Sequence, residues 1–189
     1  MLTWPEIARG GYGAWRLLLG DARGLEWLDR SPTGVWRSFR LAVLLLPAYA
    51  LLVWLHLREI GTSAPLPRVL FVEISAYAIS WTLFPLIMTG LGPMIDRERE
   101  TPGFIVAYNW ANLINLTLYL PIALLNTTAL LPEGLMQSLD LVFTVVFVVY
   151  GWFIFKTALN LSGLAALPLA AADFVLSIFI AGISDALIR

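Results

Sequence analysis

Asp173 is flanked by Leu169-Ala170-Ala171-Ala172 on one side and Phe174-Val175-Leu176 on the other. An ionisable side chain in so apolar a run is costly to present to lipid, so it must face protein or water, or lose its charge. Two chemistries fit. The carboxylate couples to an ion, a proton or a substrate, or it is a neutral or paired structural group, the more economical reading. Asn109, Asn112 and Asn115 recur at i, i+3 and i+6, with Tyr108, Thr117 and Tyr119 nearby. On a helix this spacing puts three amides on one loose stripe, able to line a polar passage or, more economically, to hydrogen-bond neighbouring helices.

The other polar residues point to boundaries. Glu73 and Asp140 fall near the expected starts of apolar helices, where a carboxylate meets exposed amide groups and the helix dipole. Asp185 belongs to an aqueous boundary, and Asn160 with Ser162 to a short turn. His56 is the only histidine and the chain has no cysteine, which removes thiol catalysis, disulfides and zinc–thiolate sites. The glycines at 10, 11, 13, 20 and 24 form no nucleotide loop, and no hydrolytic triad is specified. No metal, cofactor or enzymatic reaction is expected. The formal charge of -1 offers nothing to nucleic acid.

These residues are embedded in a chain that is 59% hydrophobic and 13% charged, with a mean hydropathy of +0.80. That composition lies in the membrane class. Apolar blocks separated by short charged or Pro/Gly-containing connections predict an all-α, polytopic protein with five crossings, at about 39–57, 69–91, 103–125, 139–155 and 164–188. The run Val142–Tyr150 is rich in β-branched and aromatic residues, but its apolar continuity favours a membrane helix over a strand. Pro47, Pro85, Pro121 and Pro168 fall within or near these segments and can kink them. Gly163, Ala166, Ala170, Gly182 and Ala186 permit close helix packing.

Residues 1–38 read as a separate cytoplasmic or interfacial segment before a 39–189 transmembrane domain. Thr3-Trp4-Pro5-Glu6 predicts a capping box. Gly10, Gly11 and Gly13 predict that the helix it starts is broken. Arg9, Arg16, Arg23, Arg30 and Arg37 recur every seven residues, with Trp15, Trp27 and Trp36 among them. Arginines on anionic headgroups with tryptophan below them would give an interfacial anchor or a partner-binding surface. No conventional signal peptide is read at the N-terminus. With that end cytoplasmic, Arg9, Arg16, Arg23, Arg30, Arg37, Arg40, Arg97, Arg99 and Lys156 lie inside and Arg58, Arg68 and Arg189 outside, as the positive-inside rule requires. The expected location is a bacterial inner membrane, with the C-terminus on the opposite side. A split or re-entrant last segment is the alternative.

A polar preamble containing Gly24-Leu25-Glu26-Trp27 and Trp36-Arg37-Ser38-Phe39, followed by five compact hydrophobic segments, resembles the Yip1-like family of small polytopic membrane proteins, in particular its bacterial members. The resemblance covers much of the chain as architecture. It implies a non-enzymatic scaffold, adaptor or accessory subunit whose partners are membrane lipids and another integral membrane protein or a second copy of the chain. The alternative is a small secondary transporter or channel component that uses Asp173 and the asparagine stripe.

Overall fold

The computed structural model describes residues 2–128 and 130–189, and among these the regular structure is helical throughout. A short N-terminal layer comprises α1 (Trp4–Leu18), a 3-10 turn at Ala22–Trp27 and α2 (Pro32–Ser38). The long helices follow as α3 (Arg40–Ile60), α4 (Leu66–Met94), α5 (Thr101–Asn126), α6 (Glu133–Ala158) and α7 (Gly163–Ile188). Tight connections make successive long helices antiparallel. The N-terminal layer and the turns at 95–100 and 159–162 share a proximal face, and the other helix ends form a distal face. Left-handed backbone closes three of the turns. Asp96 (φ 56°) and Asn160 (φ 51°) have the short polar side chains that tolerate that region, and Gly61 (φ 65°) ends α3 without a Cβ to clash. Ser162 then caps α7 by accepting the Ala165 N–H at 3.2 Å.

Among the described residues four helical stretches are long and apolar enough to cross a bilayer, namely Pro32–Ile60, Leu66–Met94, Glu133–Ala158 and Gly163–Ile188. The chain is therefore a polytopic helical membrane protein. Helix α5 is as long as α6 and α7, at 26 residues, but Asn109, Asn112 and Asn115 lower its hydropathy and keep it out of that set. Its position explains why it tolerates them. It packs against α1, α2, α3, α4 and α6, so over its buried stretch from Thr101 to Ile114 its neighbours are protein. Pro47, Pro85, Pro121 and Pro168 all lie inside helices that continue past them.

The N-terminal layer corrects one expectation. Glu6 accepts the Thr3 N–H at 2.8 Å, the bond a capping box makes from its acidic residue, and takes the Thr3 hydroxyl as well at 2.8 Å, but α1 then runs unbroken to Leu18. Its glycines are packing sites rather than breaks. A Cβ at Gly10 would collide with the Trp110 indole, and one at Gly13 would stand 2.8 Å from the Gly24 carbonyl oxygen. Ala14 and Leu17 are fully buried beside them.

The main core is concentrated on the proximal side. Buried residues of α5 run from Thr101 to Ile114 and then stop, those of α6 cluster at Tyr150–Ala158, and those of α4 at Trp81–Gly92. Phe84, Phe104 and Phe155 meet at ring-centroid distances of 4.8–6.4 Å in this core. Distally a small cluster of Val69, Val72 and Ile188 joins only α4 and α7, with Leu57 and Ile60 of α3 against it.

Candidate functional site

Because the core fills only one half of the bundle, the other half leaves partly open space between the helices. A cavity of about 620 Å³ lies at mid-bundle, lined by residues from α3, α4, α5, α6 and α7. A second, of about 940 Å³, continues toward the distal ends, where it reaches His56, Arg58, Asn126 and Asp185. Tyr49, Ser80, Tyr119 and Ser177 border both, so the two are chambers of one vestibule.

Asp173 lines the inner chamber. Tyr108 on α5 donates its hydroxyl to Asp173 Oδ1 at 2.7 Å, and Ser177, one turn along α7, donates to the Asp173 main-chain carbonyl at 2.9 Å. The carboxylate is thus turned inward and held by a phenol from the central helix, away from lipid, in agreement with its cost there.

The asparagine stripe divides. Asn112 and Asn115 line the inner chamber, whereas Asn109 is fully buried beneath α2, where its amide donates to Ser38 Oγ at 2.9 Å. Helical geometry accounts for this: at about 100° per residue, Asn109 and Asn115 lie about 120° apart around the axis. The face that meets the cavity is instead Tyr108, Asn112, Asn115 and Tyr119, at i, i+4, i+7 and i+11, which stay within about 60°. The Oδ1 atoms of Asn109 and Asn115 are buried without a partner. For Asn115 that leaves an unanswered acceptor on a cavity-lining residue.

Two sets of aromatic residues enclose the chamber, and their spacing was readable from the sequence. On α4, Tyr77 and Trp81 are one turn apart with ring centroids at 6.1 Å, and the Tyr49 ring of α3 meets Tyr77 at 4.3 Å, tilted by 32°. On α6, Phe143, Phe147 and Tyr150 follow i, i+4 and i+7, and Tyr119 of α5 meets Phe143 at 5.1 Å. All seven line the inner chamber.

In the outer chamber Glu73 is misplaced by the capping expectation. Helix α4 begins at Leu66, so Glu73 lies two turns inside it, accepting from Tyr49 Oη at 2.9 Å and Ser184 Oγ at 2.7 Å. It joins α3, α4 and α7. Asp140 is likewise two turns into α6, with one oxygen buried and unpartnered. His56 Nε2 and Asp185 Oδ1 stand 2.8 Å apart, and the Thr62 hydroxyl donates to the Ile188 carbonyl, so α3 and α7 are tied at the distal rim. No group of three or more His, Cys, Asp or Glu able to hold a metal ion occurs among the described residues.

The proximal end is sealed. Tyr150, which borders the inner chamber, donates to the Ala14 carbonyl of α1 at 2.8 Å, and the Arg30 side chain lies over Gly103. The seven-residue arginine series does not form one face, because it is distributed over α1, the 3-10 turn, a loop and α2. Arg16 and Arg23 both bind Asp21, with Arg16 Nε at 2.9 Å and Arg23 Nε at 3.1 Å, and Arg37 binds Glu6 at 2.7 Å. Hydrogen bonds from Arg23 and Arg16 hold the Asp21 carboxyl at about 2, below its usual 3.8. Arg9, Trp15 and Trp36 are exposed, and Trp27 makes an edge contact with Tyr12 at 4.7 Å. No family model, curated protein or solved structure matches the chain.

Proposed function

We propose that this protein is a small membrane transporter or channel component, in which a vestibule entered from the distal face delivers a solute to Asp173. The observation that carries this reading is the two-chamber cavity among α3–α7, bordered at its inner part by the Tyr108–Asp173 pair and sealed on the proximal side by the N-terminal layer. Pockets of several hundred Å³ with a few convergent polar groups are the common form of small-molecule sites. A carboxylate held among spanning helices is the usual mark of a substrate or ion pathway.

In this reading α5 is a fifth crossing, its proximal half packed among the helices around it, with the N-terminus cytoplasmic and the C-terminus opposite. The cytoplasmic excess of arginine and lysine supports that orientation. The test is flux in vesicles reconstituted with the intact protein. A solute should move in wild-type vesicles and stop moving with Asp173→Asn, while both proteins insert equally. Equal flux through the two would remove Asp173 from the mechanism.

A second reading keeps the adaptor role for the N-terminal layer, the role that the Yip1-like resemblance implies. Trp4 and Trp36 are 79% and 77% exposed on that layer, and exposed tryptophan beside arginine suits lipid headgroups or a membrane-bound partner. Crosslinking from these positions in native membranes, with a stoichiometric protein recovered, would support it.

A further inference from the structure

We infer that the inner chamber binds an organic monocation, an ammonium group carrying apolar substituents, with Asp173 as its counter-ion and the aromatic walls as its cage. The inference rests on the reading of the vestibule as a solute pathway and names the class of solute.

Three observations converge. First, Asp173 is the only charged residue bordering the inner chamber among the described residues, and no lysine or arginine among them competes for it there. Its Oδ1 is positioned by the Tyr108 hydroxyl. Second, the walls are aromatic on two sides, formed by Tyr49, Tyr77 and Trp81 on one and by Tyr119, Phe143 and Phe147 on the other. Ring faces carry negative potential and attract cations, most strongly where water is excluded. Third, the cavity is large, about 620 Å³. Among the described residues no three or more His, Cys, Asp or Glu gather to hold a metal ion, and one carboxylate is a sparse ligand set beside the about six to eight oxygens that calcium takes. An anion would be repelled by the Asp173 carboxylate, with no cationic side chain among the described lining residues to offset it, and a neutral apolar solute would cover that carboxylate without supplying a counter-charge.

The outer chamber suits the same solute. Glu59, Glu73 and Asp185 outnumber Arg58 there, and His56 is already paired with Asp185. The Arg58 guanidinium itself stands 4.8 Å from the centroid of the Trp54 ring, an example at the rim of the interaction assigned to the interior.

The experiment uses the full chain in lipid nanodiscs, titrated with phenyltrimethylammonium, its neutral isostere tert-butylbenzene and the anion 4-tert-butylbenzoate. Saturable binding of the cation alone is expected. Asp173→Asn should weaken it about tenfold or more, the loss expected when the charged partner of a bound cation is removed. Phe143→Leu, which keeps an apolar side chain but removes a ring face, should weaken it about threefold. If Asp173→Asn fails to fold, Phe143→Leu and Tyr119→Leu carry the test. Equal or tighter binding of the neutral or anionic isostere, no binding of the cation, or cation binding indifferent to these substitutions would overturn the assignment. Flux in vesicles separates the two proposals. Asp173-dependent cation binding without transport keeps the cation site and removes the transporter, whereas Asp173-dependent flux of an uncharged or anionic solute does the reverse.

Discussion

Tyr108 and Asp173 lie 65 positions apart and meet through a single hydrogen bond of 2.7 Å. If that bond orients the carboxylate, Tyr108→Phe should reduce flux while leaving some activity, because the acid remains in the chamber without its positioning donor. Asp173→Asn should abolish it. Initial rates in vesicles, normalised to inserted protein, check the order. Glu73 has a different office, because it receives one hydrogen bond from α3 and one from α7. Glu73→Ala should lower stability by about 0.5–2 kcal/mol, the range for paired interhelical hydrogen bonds in membranes, while Glu73→Gln should lose less. Unfolding in detergent, followed by far-ultraviolet circular dichroism, measures both.

At the scale of elements, the N-terminal layer is held by close backbone approach and by ion pairs. Gly10 and Gly11 are neighbours in sequence with opposite surroundings. A Cβ at Gly10 collides with Trp110, whereas one at Gly11 meets Leu113 at an ordinary 3.7 Å. Gly10→Ala should therefore destabilise by about 1–3 kcal/mol through overpacking. Gly11→Ala should be neutral or gain up to about 1 kcal/mol from helix propensity. Limited proteolysis of the layer distinguishes them. The Asp21 pairs give this layer a pH dependence of known sign. Because the folded carboxyl is held at about 2, below the usual 3.8, the pairs contribute fully above about pH 4 and their contribution fades as pH falls toward 2. Protease cutting between Leu18 and Trp27 should rise across that window in the wild type, and Asp21→Asn should raise it already at neutral pH and flatten the change.

For the whole molecule, the vestibule has a side. The absence of native cysteine allows single thiols to be placed without background. Ser177→Cys, at the junction of the two chambers, should react with a membrane-impermeant maleimide applied from the C-terminal side and resist it from the other. Ser38→Cys, buried under the N-terminal layer, should resist from both. Reaction of Ser177→Cys from the N-terminal side alone would reverse the proposed entrance.

The class of the protein and the approximate positions of its long helices were legible in the sequence, because lipid-facing helices need long apolar runs and turns need charged, proline or glycine breaks, whereas the early starts of α4 and α6 and the continuity of α1 were not. Expected segments such as 69–91 and 164–188 fall within α4 and α7. For Asp173 only the cost of facing lipid was legible, which leaves protein, water or loss of charge as outcomes. Partners were not legible. That Asp173 answers to Tyr108, that Glu73 links three helices instead of capping one, and that Asn109 goes under α2 while Asn112 and Asn115 face a cavity all depend on which helices adjoin. The aromatic spacings Phe143, Phe147 and Tyr150, and Tyr77 and Trp81, were present in the chain, yet such stripes ordinarily form core. Only the tertiary arrangement put space between them, because the helices pack tightly against the N-terminal layer at one end and separate toward the other. Spacing along one helix fixes a face, but what that face meets is decided by its neighbours.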